Sequence, residues 1–167
     1  MALSSTVKAS INATLTKTAD FESASSAIAQ ALSISLTDGT GASQADLIWK
    51  DTRTLSASAS ENLDLSGALT NIYGEAVVFA RVKCILVTAD SGNTNNVNVI
   101  REGTNGVPLF LALGDGIGVR PGGFMGIGCS DATGYAVTAS TGDLLTFTNS
   151  AGSTSVTYSV TIIGASA

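Results

Sequence analysis

Asp51, Glu61 and Asp64 lie close together in the chain, and two carboxyl groups flanking a glycosidic bond are what a glycoside hydrolase requires. Their separation in space decides that chemistry, and sequence spacing does not give it. The chain contains no histidine, which removes the commonest general base near neutral pH and the usual metal ligand. Ser-His-Asp and Cys-His arrangements are therefore impossible, and a Ser-Lys pair is the nucleophilic alternative left open. Asp90, Asn93, Asn95 and Asn96 could offer oxygens to calcium, but the EF-hand spacing and its closing glutamate are missing. A solvated turn is the expectation there, because Asn and Asp favour turns without any ligand. Gly114-Asp115-Gly116-Ile117-Gly118 invites a nucleotide-loop reading. The third glycine falls one position early and Pro121-Gly122-Gly123 forbids a following helix, so a β-turn is expected instead. No catalytic residue, metal or cofactor is assigned, and no small-molecule substrate is expected.

Composition narrows the classes further. Charged residues are only 13 % of the 167-residue chain, about half the usual share, and Ser, Thr, Asn and Gly fill the polar positions. A net charge of −5 with eight scattered Lys and Arg argues against nucleic-acid binding, which depends on cations displacing counterions from phosphates. Cys84 and Cys129 have no CxxC spacing and no histidine to join them, so a zinc site fails on ligand count. Both sit in apolar segments and are expected as buried free thiols, with a disulfide as the alternative. Met1 to Lys8 lacks a charged region followed by an apolar one, so no secretory signal is expected, and the Asn12-Ala13-Thr14 sequon is read as coincidence. No apolar run reaches membrane-spanning length.

The elements that must hold these residues are strands. Val7, Ala9, Ile11, Ala13 and Leu15 alternate with polar residues, the pattern of a strand with one buried face. Leu32, Ile34 and Leu36 repeat it, and the serine-rich stretch between Phe21 and Leu32 is expected as loop. Leu47 to Leu55 reads as a strand carrying Trp49, and Leu63 to Leu65 as extended. Ser66 to Gly74 reads as a connection or a single helical turn. Val77 to Thr88 is expected as one long central strand, with Arg81 and Lys83 on a face that meets solvent or a partner. Val97 to Arg101, Val107 to Leu113, Phe124 to Cys129, Tyr135 to Ala139, Leu144 to Thr148 and Val156 to Ile163 complete the set. A glycine-dense link runs from Gly114 to Gly123 and ends in a type II turn at Arg120-Pro121-Gly122-Gly123. Short, regularly spaced strands without amphipathic crossover helices indicate one all-β domain over residues 1–167. The expected architecture is an antiparallel β-sandwich of jelly-roll type, with an immunoglobulin-like sandwich close behind. Residues 1–30 are expected as an N-terminal arm or extra strand.

Three groups of motifs carry a resemblance: Leu36 to Leu55; Leu63-Asp64-Leu65-Ser66-Gly67 with Phe79-Ala80-Arg81-Val82-Lys83; and Val119 to Gly123 with Asp131 to Thr138 and Tyr158 to Gly164. Together they resemble a family of small structural proteins of tailed bacteriophages and prophages, while Arg101 to Gly118 departs from the pattern. The resemblance implies a non-enzymatic virion protein, assembled in the host cytoplasm and placed on the outer capsid surface. There it would act as a homotrimeric cement or decoration subunit with a jelly-roll core, bridging copies of the major capsid protein. A tail-associated or receptor-binding module is the alternative, and a cell-envelope hydrolase a more distant one. From residue type, Trp49, Arg53, Arg120 and Phe124 are the candidate interface residues. Asp46 and Asp51 flank Trp49 as partners for Arg53 or for another subunit. The N-terminal strand is a candidate for pairing with a neighbour.

Overall fold

The computed structural model describes residues 2–67 and 69–167. The chain is all-β, and it divides into a sandwich and a projecting hairpin. Among the described residues thirteen strands follow one another: β1 (Ser5–Thr18), β2 (Ser23–Leu36), β3 (Leu47–Leu55), β4 (Ser60–Asp64), β5 (Leu69–Thr70), β6 (Ala76–Val77), β7 (Arg81–Ala89), β8 (Val97–Arg101), β9 (Gly116–Val119), β10 (Phe124–Gly128), β11 (Tyr135–Ala136), β12 (Leu144–Asn149) and β13 (Val156–Ala165). One sheet has the order β10-β7-β13-β3, with β11 also on β7; the other has the order β4-β12-β8-β9. All these pairings are antiparallel. Outermost strand pairs with outermost and inner with inner: β3 with β13, β4 with β12, β7 with β10, β8 with β9. The pairs nest as though one long hairpin had been rolled up.

Alternation builds the core. Trp49 and Leu55, Ile85 and Val87, Val156 to Ile162 at every second position, and Met125 point inward from the first sheet. Leu63, Val97, Val99, Val119, Leu145 and Phe147 meet them from the second. Phe147 stacks on Tyr158 across the gap, with ring centroids 4.4 Å apart. The outer faces are tied by hydroxyl pairs between neighbouring strands: Thr52 with Ser159, Thr54 with Thr157, Ser60 with Thr148. Such pairs do on these outer faces what cross-strand charge pairs do on others.

Several expectations are corrected. Of the segment from Phe21 to Leu32, Phe21 and Glu22 lie in the turn, but Ser23 onward is strand rather than loop; it pairs with β1 in unbroken register, Ser5 opposite Leu36 and Thr18 opposite Ser23. The alternating apolar row of β1 is a strand as expected, but it is not buried: from Lys8 onward every residue of β1 is exposed. Val77 to Thr88 is interrupted. Leu65 accepts the Phe79 amide and Ala165 the Ala80 amide, which bends the chain between β6 and β7. Lys83 does not share a wet face with Arg81. A bulge opposite Ile163 and Gly164 adds a residue to β7 there and turns Lys83 inside, where it is fully buried and donates to the Asp131 carbonyl. Gly164 must lack a side chain at this bulge, since a Cβ would collide with the Arg81 carbonyl and the Phe79 ring.

Val107 to Leu113 forms no strand. Pro108 has no amide hydrogen to give, and the Arg101 guanidinium holds the segment in a coil through the Gly106, Phe110 and Leu111 carbonyls. Conversely, the glycine-dense link contains β9. The turn after it is as expected: the Gly123 amide donates to the Arg120 carbonyl at 2.8 Å, and Gly122 takes φ +70°, the left-handed region that a type II turn needs.

Both cysteines are free thiols, Cys84 buried and Cys129 half-buried. Burial raises the Cys84 pKa. Burial, with the Asp131 charge added, pushes Cys129 up to about 11. Because the thiolate is the nucleophile, native protein at pH 8 should react with iodoacetamide roughly a hundredfold more slowly than free cysteine. Mass spectrometry before and after urea unfolding checks this; rapid labelling of the native protein would contradict the burial described.

Candidate functional site

Strand β3 lies at one edge of its sheet, and its inward row runs Trp49, Asp51, Arg53, Leu55. The two polar members fall where the edges of the two sheets approach, and they meet β4 there. Arg53 Nε donates to Asp51 Oδ2 at 3.0 Å and Nη1 to Glu61 Oε2 at 2.6 Å. Its guanidinium carbon also lies 5.6 Å from the Trp49 ring centroid. The second oxygen of Glu61 accepts the Tyr158 hydroxyl at 2.9 Å. Burial works against the Arg53 charge, but the Glu61 hydrogen bond and attraction, with the Asp51 bond, outweigh it and raise the pKa. Burial, then Glu61, raises the Tyr158 pKa well above its ordinary value.

The carboxylates that could have done chemistry are committed to this kind of work. Asp51 and Glu61 are salt-bridged to one guanidinium, so neither stands as a lone acid facing a lone base. Asp64 accepts the Ser66 amide and hydroxyl. Asp143, which sequence reasoning did not single out, is buried and receives the Asn105 amide nitrogen, the Ser66 hydroxyl and the Ser140 amide. Burial alone would raise its pKa; these donors lower it overall. Asp46 is bonded to Ser166 through both oxygens.

Of the calcium candidates, Asp90 accepts the Gly92 amide, Asn93 exchanges two hydrogen bonds with Thr157, and Asn95 is tied to Asn149 and Thr154. Among the described residues no three His, Cys, Asp or Glu gather as a metal cluster. Ser5 and Lys8, at SxxK spacing, fall on opposite faces of β1.

The four interface candidates do not converge. Trp49 is in the core, 4 % exposed, with its indole nitrogen donating to the Thr70 carbonyl at 3.1 Å; it presents almost no surface to a partner. Arg53 is half-buried in the network above. Arg120 and Phe124 are exposed at the β10 edge, Phe124 to 74 %, on the outer face. They sit three strands, about 14 Å, from the β3 edge.

A different surface dominates the molecule. The β1–β2 hairpin leaves the sandwich with Ile11, Leu15, Ile28 and Leu32 exposed to between 58 % and 70 %, all on one face by register. Its root is fixed: Leu3, Val7 and Ile34 pack on Leu36, Ala45, Cys84 and Ile163. Two signals in the sequence could have found it. The even residues from Ile28 to Leu36 continue the alternation of β1, and Asp20 to Glu22 is a turn-length break between two equal runs.

No protein-family model, no curated protein and no solved structure matches this chain.

The Tyr158 phenol is held neutral in the fold, whereas an unfolded tyrosine ionises near its ordinary 10.0. Its contribution to stability is therefore complete below pH 10 and falls as pH rises above it, because only the unfolded chain releases the proton. Tyr158→Phe should cost about 1 kcal/mol at pH 7 and make the alkaline loss shallower. Urea melts at pH 7 and pH 11 measure both effects. An unchanged alkaline slope would remove Tyr158 from the explanation.

Proposed function

We propose that this chain is a non-enzymatic structural subunit that works by docking, specifically a decoration or cement protein on the outer surface of a tailed-phage capsid. The observation that carries the reading is the hairpin. A two-stranded ribbon is at best marginally stable alone in water, yet this one extends from the body with a row of large apolar side chains uncovered. Such a ribbon suits a protein whose working state includes neighbours.

Three further features support it. The nested order of the eight main strands in two sheets is what a jelly-roll reading of the sandwich requires. The outer faces are built from hydroxyls rather than charges, suited to broad hydrogen-bonded contact with another protein. The motifs from Leu36 to Gly164 resemble phage structural proteins. In this role the chain self-associates as a trimer and bridges copies of the major capsid protein. By mass action, a subunit that binds only the assembled shell stabilises that shell.

One observation favours a tail-associated, receptor-binding module instead: a groove of about 440 Å³ lined by Leu3, Ile48, Trp49, Ile72, Tyr73 and Val77 among others. Negative-stain imaging of phage particles carrying a gold-labelled copy separates the two. Label spread over the head supports decoration, label confined to the tail supports the module, and particles without label overturn both. Release of product from purified peptidoglycan would overturn both in favour of a hydrolase.

A further inference from the structure

The exposed face of the hairpin has a definite pattern. Along the ladder, Ala9 faces Leu32, Ile11 faces Gln30, Ala13 faces Ile28 and Leu15 faces Ser26. In three of these four rows a large side chain lies opposite a small one, and between Val7 and Leu15 the face carries no charge. The other face presents Lys8, Asn12, Thr14 and Thr16 from β1, with alanines and serines from β2. The ribbon is thus two-sided, apolar on one side and polar or small on the other, with both long edges unpaired among the described residues.

We propose that the hairpins of three copies of this chain close into a six-stranded antiparallel barrel, with the apolar faces inside and β1 of each copy paired to β2 of the next. It rests on the self-association in the function proposed above and names the surface responsible. Directions are consistent: around a threefold axis every β1 runs one way and every β2 the other, so each new pair is antiparallel. Alternation of large and small side chains is how a narrow barrel fills its interior. Eight strands already leave room that side chains just fill; six enclose a narrower bore, which the alanines and Ser26 accommodate.

Two hairpins stacked face to face would hide the apolar rows but leave four long edges open, and open edges of that length invite uncontrolled pairing. A ring of three leaves none. The exposed stretch of β1 from Lys8 is about 36 Å long and the ribbon about 10 Å wide. With its two edges that commits on the order of 700 Å² per copy, close to what each side of a standard stable interface contributes. Between Val7 and Leu15, Gln30 is the one large polar side chain on the inner face, Lys17 following on that face at the tip, and three Gln30 amides around the axis can donate to and accept from one another. A lone polar layer of this kind sets register in other self-assembling repeats. Lys8 stays outside, in water.

Light scattering on the purified full chain, with no phage components present, is the test. The expected mass is three times the 16.7 kDa chain, falling threefold to monomer in the Ile11→Asp/Leu32→Asp variant. Lys8→Asp, on the opposite face, should remain trimeric. Tryptophan fluorescence checks that the sandwich of each variant stays folded, since Trp49 is in its core. A monomeric wild type at 100 µM overturns the barrel, as does a dimer, a tetramer, or a trimer indifferent to the Ile11/Leu32 change. The decoration reading fails separately, in the imaging experiment: a monomer that still coats phage heads would remove the barrel and leave that reading standing.

Discussion

Strand β13 is hydrogen-bonded to β7 on one side and β3 on the other along most of its length. Its inner row of Val156, Tyr158, Val160 and Ile162 is almost wholly buried. This doubly paired, doubly packed strand imposes the rest of the body. Its register fixes which residues of β3 and β7 look inward, since a slip of one residue would exchange every core side chain for a hydroxyl. Tyr158 then meets Phe147 on the opposite sheet and Glu61 at the rim. The polar network at the β3 edge follows from the same register: Tyr158 lies beside Arg53 and Val160 beside Asp51. That network closes the open side of the sandwich with hydrogen-bonded charges, where an apolar edge would have been left wet.

Much of the sandwich was legible because its strands are half-buried and alternate cleanly. The expected Leu47–Leu55 and Val97–Arg101 match β3 and β8 at both ends, and Val156–Ile163 falls short of β13 by two residues. The failures share a cause: tertiary contacts overrode local pattern. Lys83 has the parity of a solvent-facing residue, and only the bulge beside Gly164 turns it inward. Val107 to Leu113 is apolar enough for a strand but is held as a coil by a guanidinium from β8. The run from Ser23 to Leu32 has weak strand propensity residue by residue and becomes a strand because β1 offers it a complete ladder. Trp49 was placed at a surface on residue type, whereas its position in the inward row puts it in the core.

The candidate site divides the same way. Asp51 and Arg53 were recognisable as a possible ion pair, whereas Glu61 was read only as a carboxylate beside Asp51 and Asp64, and the edge geometry alone joins it to Arg53. Asp143 gave no signal, because its donors Ser66, Asn105 and Ser140 come from three separate loops. The hairpin stripe was visible as a pattern but was read as core, since alternation reports that a face avoids water and does not say whose surface covers it.

The root of the hairpin rests on Ile163 and Cys84, and this has a bearing on the order of events during synthesis. Val7 leaves the ribosome long before Ile163, which lies in β13. While a chain is growing, its ribbon therefore has no seat, and nothing aligns it with the ribbons of neighbouring nascent chains. Seating of the ribbon's root therefore waits until β13 has joined the body.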